Sequence, residues 1–214
     1  MKEIQKEIIP ISKEDLFIVL NHPNANFDYS VHYHPEYEIN LVMNTSGERI
    51  VGDSIQEYKN LDLVMIGPNL PHAWKGNIIE GNHVITVQFS EELLNLPILQ
   101  KRIFSQIKKL LSDSQKGITF SSKTQNSVKD KFIALTKMKG FQTVIEFFSI
   151  LHELSISDYF RLASNNYDIY DIIRDSKSRR ITKACDFIKA NLHEQIRLGE
   201  IANLVNMSES AFSH

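Results

Sequence analysis

The chain has 214 residues, of which 42% are hydrophobic and 23% charged, and its formal net charge is −2. This is an ordinary globular composition, and it excludes a polyelectrolyte. The single cysteine, Cys185, excludes an internal disulfide and a thiolate metal cluster. Because the sequence shows neither an apolar run of about 18 residues nor a secretory signal at its start, we expect a cytoplasmic protein without membrane contact.

Four short apolar or alternating runs occupy the first ninety residues, at positions 16–20, 38–43, 61–66 and 84–89. Turn-forming residues, among them Asn24, Asn60 and Gly67, separate these runs. The pattern predicts strands that form a barrel or a sandwich. Hairpins that close on themselves would enclose a space for one ligand, so we expect a ligand-binding domain over residues 1–90.

After Ser90, a predicted helix N-cap, the periodicity becomes helical. Two longer helices are predicted at about 124–138 and 141–155, and we expect a helical region over 91–163. The second helix carries a wide apolar stripe of Val144, Phe147, Phe148, Leu151 and Leu154. This stripe either packs on the strands or forms the interface of a homodimer. The polar segment 164–180 is predicted to be a linker.

The last segment, 181–214, has a helix-turn-helix pattern. Its first helix is predicted to bury the face formed by Ile181, Cys185, Ile188 and Leu192. A short helix at 198–205 follows, then a turn at Asn206-Met207, and Ser208 is the predicted N-cap of a third helix. The small residue Ala202 lies where the helices would cross. The whole chain is therefore predicted to be an α+β protein.

This segment resembles the start of the DNA-binding domain of the AraC family of transcriptional regulators. In that family a long helix precedes the pattern L-x-x-[IL]-A-x-x-[VL]-x-[ML]-S-x-S-x-[FL]-S. The matching positions here are Leu198, Ile201, Ala202, Val205, Met207, Ser208, Ser210, Phe212 and Ser213. The resemblance implies a transcriptional regulator that binds DNA and a small-molecule effector, and it implies no enzyme activity.

The resemblance also assigns the residues that meet DNA. It places Ser210, Ser213 and His214 where the recognition helix reaches base edges, with Glu209 near the DNA backbone. The family's domain continues into a second helix-turn-helix, whereas this sequence ends within the first recognition helix. Because phosphate contacts supply much of the affinity for DNA, we expect no sequence-specific DNA binding by the 214-residue chain.

The front of such regulators usually resembles a cupin barrel, which implies a cupin-like barrel for residues 1–90. Cupins that hold a metal use an H-x-H-x(3,4)-E set and a later histidine, and the corresponding residues here are His32, His34, Glu38 and His72. Such a set suits Zn, Ni, Mn or Fe(II). The glycines of the metal-cupin pattern are replaced, however, by Asn26, Thr45 and Asn69. We therefore expect no metal and no other cofactor.

The same residues are instead expected to line an effector pocket. Even-numbered positions of a strand share one face, so we expect a polar wall of His32, His34, Glu38 and Asn40. Two later strands would add His72, Trp74, Thr86 and Gln88. An aromatic ring beside hydrogen-bonding groups suits a sugar. The competing hypothesis is a cupin metalloenzyme, and the helix-turn-helix segment favours the regulator.

Overall fold

The computed structural model describes residues 4–12, 14–27, 30–167, 180, 183–191 and 196–213. The chain divides into two compact units, Met1–Tyr167 and Asp168–His214. Most of the predicted linker, 164–180, lies outside the described residues, so the linker and the domain boundaries remain predictions. Among the helices that are described, none combines the length and the apolar content of a membrane span.

The first unit contains one large sheet. Its strands are β1 (Gln5–Lys6), β2 (Ile18–Pro23), β3 (His32–Tyr33), β4 (Tyr37–Val51), β5 (Ser54–Ile66), β6 (His72–Gly76), β7 (His83–Phe89), β8 (Ile118–Phe120) and β9 (Tyr159–Arg161). The four predicted runs overlap β2, β4, β5 and β7. Apolar side chains that alternate along these segments favour strands with one face on a core.

Strand β4 organises the sheet because it pairs with three strands. It pairs with β5 along its whole length, with β7 over its first half and with β6 over its second half. The register shifts between Met43 and Thr45, and the intervening Asn44 has a positive φ of 58°, which marks a β-bulge. The pairings among the described strands do not close into a ring, so a closed cupin-like barrel is not confirmed.

The two faces of the first unit's sheet differ in character. Odd-numbered residues of β4 and β7, such as Ile39, Leu41 and Val87, join the main hydrophobic core. The even-numbered Glu38, Asn40, Thr86 and Gln88 line a cavity. A second, smaller apolar cluster contains Val42, Val64, Ile66, Leu70 and Trp74. The cavity therefore lies on the face of the sheet opposite the main core.

Helices contribute to the main core. Ser90 caps the turn Glu91–Asn95, as predicted, by accepting a hydrogen bond from the Glu92 N–H at 3.1 Å. The helices are α1 (Ser105–Asp113), α2 (Ser122–Leu135) and α3 (Phe141–Ser155). Phe147, Leu151 and Leu154 of α3 are buried in this core. Packing within the unit thus accounts for most of the apolar stripe.

In the described part of the second unit, residues 183–190 are helical and are here called α4, and the helices α5 (Leu198–Leu204) and α6 (Glu209–Phe212) follow. Ala184, Ile201 and Val205 form its small core, with Phe187, Ile188 and Phe212 packed against it. The face predicted for the first helix is wrong at Cys185, which is exposed. The helix instead turns Ala184 and Phe187 inward, and Ile181 and Leu192 lie outside the described residues.

Candidate functional site

Three histidines come together at one end of the sheet. His32 of β3 lies directly opposite His72 of β6 in an antiparallel register, and His34 follows β3. One ring nitrogen from each of the three lies within 4.8 Å of the others. We call His32, His34 and His72 the histidine cluster. Because β3 ends at Tyr33 and β4 begins at Tyr37, the predicted continuous strand is interrupted at Pro35.

Glu38, at the start of β4, joins this cluster. Its Oε2 lies 3.2 Å from His34 Nε2, and its Oε1 lies 3.6 Å from His72 Nε2. The Gln88 side chain also donates to Oε2 at 2.8 Å. Glu38, His34 and His72 are at most 4% exposed. The structure therefore encloses one carboxylate among imidazoles.

The environment sets the charges in the cluster. Burial would raise the pKa of Glu38, but His72, His34 and Gln88 outweigh it and hold this pKa at about 2. Burial lowers the pKa of His72 to about 4, against the opposing effect of Glu38. At neutral pH the carboxylate is charged while the His72 ring is neutral. This is the protonation state in which both groups can act as metal ligands.

In two of the three histidines, a backbone carbonyl fixes the orientation of the ring. His72 Nδ1 lies 2.8 Å from the Leu70 carbonyl oxygen, and His32 Nδ1 lies 2.9 Å from that of Ser30. His32 Nε2 lies 3.1 Å from Glu7 Oε2. The carbonyl contacts orient both rings. Among the described residues, His72 Nε2 has no hydrogen-bond partner, whereas His32 Nε2 is engaged by Glu7.

A cavity of about 450 Å³ adjoins the cluster. Six of the predicted pocket residues line it, namely His32, Glu38, Asn40, Trp74, Thr86 and Gln88. His34 and His72 are not among its lining residues, although they contact Glu38. Glu7 and the segment 20–27 also line the cavity, although they were not predicted from the sequence. No motif marks that segment, and it reaches the cavity because β2 pairs with β7.

Cross-strand pairs hold the polar wall of the cavity in place. Asn40 lies opposite Thr86, and Glu38 lies opposite Gln88. The Thr86 hydroxyl donates to Asn40 Oδ1 at 2.9 Å. Gln88 Oε1 is buried and has no hydrogen-bond partner among the described residues. The wall therefore retains an acceptor for a ligand that carries a hydroxyl or an amine.

Trp74 contributes its ring rather than its N–H. The indole Nε1–H donates to Asp62 Oδ2 at 2.9 Å. Asp62 also accepts a hydrogen bond from Arg49, and Arg49 donates to Gln56 Oε1 at 2.9 Å. Arg49 and Asp62 are 4% and 3% exposed. Neither was singled out in the sequence, because charged residues ordinarily lie at the surface.

The predicted DNA-contacting residues lie in the second unit. Glu209 and Ser210 are exposed on α6, and Ser213 is exposed just beyond it. His214 lies outside the described residues. The Ser208 hydroxyl accepts a hydrogen bond from the Ala211 N–H at 3.2 Å, which caps α6. The short helix thus presents a polar surface to solvent.

No protein-family model matches the sequence, and no curated protein matches it. Solved structures are similar at a low level. ToxT from Vibrio cholerae O395, bound to (E)-4-(8-methylnaphthalen-1-yl)but-3-enoic acid, has 12% identity and a TM-score of 0.41, over 93% of this chain and 74% of ToxT. The AraC-like transcriptional activator CuxR has 8% identity and a TM-score of 0.41, over 83% of this chain and 59% of CuxR. Similarity at this level assigns no function.

Proposed function

We propose that the protein is a transcriptional regulator of the AraC type that senses a small polar effector in the cavity of its first unit. This proposal rests on the helix-turn-helix sequence pattern and on the packing of its residues. Ala202 is 1% exposed, and its carbonyl accepts a hydrogen bond from the Met207 N–H at 2.8 Å. Such tight packing is what a helix pair that supports a recognition helix needs.

The cavity supports the sensing part of the proposal. Its volume of about 450 Å³ is in the range of small-molecule sites. The Trp74 ring is a flat apolar surface, while Asn40, Thr86 and Gln88 supply donors and acceptors. A sugar presents a C–H face to an aromatic ring and hydroxyls to polar groups. We therefore propose a sugar-like ligand, held in a cupin-like sensory domain of a cytoplasmic protein.

We also propose that the regulator is a homodimer through α3. Most of its apolar stripe is buried, but Phe141 and Ile145 are 75% and 48% exposed. Light scattering at high micromolar concentration should give the mass of a dimer, and Ile145→Asp should give a monomer. A monomeric wild-type protein would count against this interface.

The test of sensing is a titration with a panel of sugars, followed through Trp74, which is the only tryptophan. We expect at least one sugar to change the emission and to raise the melting temperature, and we expect Asn40→Ala to weaken the binding. His152→Ala is a suitable control, because His152 is exposed on α3. If no sugar in the panel binds, the ligand class is wrong.

The test of regulation is a fusion of residues 1–167 to a complete AraC-type DNA-binding domain with a known operator. A reporter gene behind that operator should respond to the sugar that binds in vitro, and Asn40→Ala should shift the response to higher concentrations. A reporter that ignores a sugar shown to bind would refute regulation. Among the described residues, no observation favours the competing metalloenzyme hypothesis over sensing.

A further inference from the structure

The buried part of the cavity wall has an acceptor without a donor. Because the Glu38 carboxylate can only accept, the Gln88 amide donates to it through Nε2, at 2.8 Å. This contact leaves Gln88 Oε1 as the free end of the amide, and that atom is buried with no hydrogen-bond partner in the described part of the chain. Gln88 is only 3% exposed. An unpaired buried acceptor is costly, so this wall favours a ligand that donates hydrogen bonds.

Glu38 also keeps capacity to accept a hydrogen bond. Its hydrogen bonds with the side chains of His34 and Gln88 both end on Oε2. Its Oε1 lies 3.6 Å from His72 Nε2, but His72 carries its proton on Nδ1, which donates to the Leu70 carbonyl at 2.8 Å. Burial lowers the pKa of His72 to about 4, so the ring has no second proton to give at neutral pH. Glu38 Oε1 is therefore a charged acceptor that His72 does not satisfy.

The charged groups of the cavity wall disfavour an anion. Glu7 and Glu38 contribute two carboxylates, and no lysine or arginine is among the described residues that line the cavity. The imidazoles of the wall are His22 and His32, and His32 Nε2 lies 3.1 Å from Glu7 Oε2. Even if both imidazoles are protonated, the two carboxylates balance their charge. An anionic ligand would thus give up its hydration without gaining a net counter-charge, whereas a cationic ligand meets two carboxylates.

The Trp74 ring lies near these acceptors. Its centroid is 5.9 Å from that of the His72 ring, and His72 Nε2 lies 3.6 Å from Glu38 Oε1. The indole N–H is bound to Asp62, so the ring itself is what Trp74 offers to a ligand. The face of an indole attracts a cation and also packs against C–H groups. An aromatic ring and a carboxylate on one wall together suit a ligand that combines a sugar ring with a protonated amine.

We propose that the effector of this cavity carries a protonated amine, which makes the ligand an amino sugar and not a neutral or an acidic sugar. This inference rests on the proposed sensing function and narrows its ligand class. The ammonium group donates to the acceptors left open on Glu38 and Gln88, and hydrogen bonds of this charge-assisted kind are the strong ones. The C–H face of the sugar ring packs on Trp74, while Glu7 adds negative charge to the wall.

The test compares glucosamine, galactosamine and mannosamine with their parent hexoses and the matching hexuronates, in calorimetric titrations of the full chain at neutral pH. We expect at least one hexosamine to bind about 10-fold or more tightly than its parent hexose, because it adds a hydrogen bond to a charged group. The hexuronates should not bind. If a hexose binds as tightly as its hexosamine, or a hexuronate binds more tightly, the amine is wrong and sugar sensing stands. If no hexosamine binds, the inference is overturned.

Variants test the residues that are assigned to the amine. Glu38→Gln should make the affinities for hexosamine and hexose equal. Since Glu38 is buried, the melting temperature of the variant is measured, and Glu7→Gln, at a half-buried position, decides if Glu38→Gln does not fold. Glu7→Gln should reduce the preference for the amine several-fold, because it removes one of the two carboxylates.

Glu57→Gln is the matched control, because it removes an exposed carboxylate of β5 that is not among the cavity-lining residues. It should leave both affinities unchanged. A preference for the amine that persists in the folded Glu38→Gln and Glu7→Gln variants overturns the assignment. If a hexosamine binds with the expected preference but the fusion reporter ignores it, the amine site stands and the regulatory function falls.

Discussion

The buried ion pair between Arg49 and Asp62 supports the Trp74 ring in the cavity wall, and a substitution that breaks this pair tests its contribution to stability. Asp62 accepts hydrogen bonds from both Arg49 and Trp74, and the Arg49 and Asp62 side chains are only 5% and 4% exposed. Asp62→Asn keeps an acceptor for the indole but leaves the Arg49 charge without its counter-charge. Breaking a buried pair in this way costs about 3–5 kcal/mol of unfolding free energy.

The chain supplies an exposed pair as a control, because Glu48 precedes Arg49 on β4 and Lys75 follows Trp74 on β6. Glu48 and Lys75 pair at 3.2 Å with side chains 43% and 62% exposed, so Glu48→Gln should cost less than about 1 kcal/mol. The measurement is urea unfolding followed by the fluorescence of Trp74, which reports on the first unit. Arg49→Met combined with Asp62→Asn should recover much of the loss, because it removes the stranded charge. The reasoning is refuted if Asp62→Asn costs no more than Glu48→Gln.

Three further predictions concern stability. Gly117→Ala should cost about 2 kcal/mol or more in urea unfolding, because φ is +62° and the new Cβ would lie 2.4 Å from Val51 Cγ1. Ser208→Ala should remove about 1 kcal/mol from the second unit, measured as lost helical circular dichroism on heating. Burial would raise the pKa of Asp113, but bonds from Lys109, Arg161 and Tyr159 outweigh it and lower the pKa to about 2. Because this pKa lies below the ordinary 3.8, the ionised Asp113 stabilises the folded state fully at pH values above 3.8, and this stabilisation is lost as the pH falls toward 2. In Asp113→Asn, the free energy of unfolding should no longer contain this acid-dependent loss.

Hydrophobic periodicity along the sequence was sufficient to predict several of the strands and helices. The strands at 38–43, 61–66 and 84–89 were predictable from their apolar alternation, and α3 was predictable from its helical stripe. The even-numbered polar residues of β4 and β7 could also be assigned to one face, because strand periodicity fixes which side chains share a side.

Contacts between distant segments were not predictable in this way. The register that sets His32 opposite His72 joins strands about forty positions apart, and no single-sequence pattern encodes it. The burial of Arg49 was missed for a related reason, since its partner Asp62 comes from the next strand. Closure of the predicted barrel also depends on which edges pair, whereas the alternation pattern predicts only the strands themselves.

The β-bulge at Asn44 connects these observations. Before it, the even-numbered Glu38, Asn40 and Val42 face the cavity and the second apolar cluster, while the odd-numbered residues face the main core. One extra residue reverses this alternation, so beyond the bulge the odd-numbered Val51 joins the second cluster and Arg49 reaches Asp62. Without the bulge, the same strand would turn Arg49 toward the opposite face. The support for Trp74 therefore depends on a backbone feature that strict strand alternation does not predict.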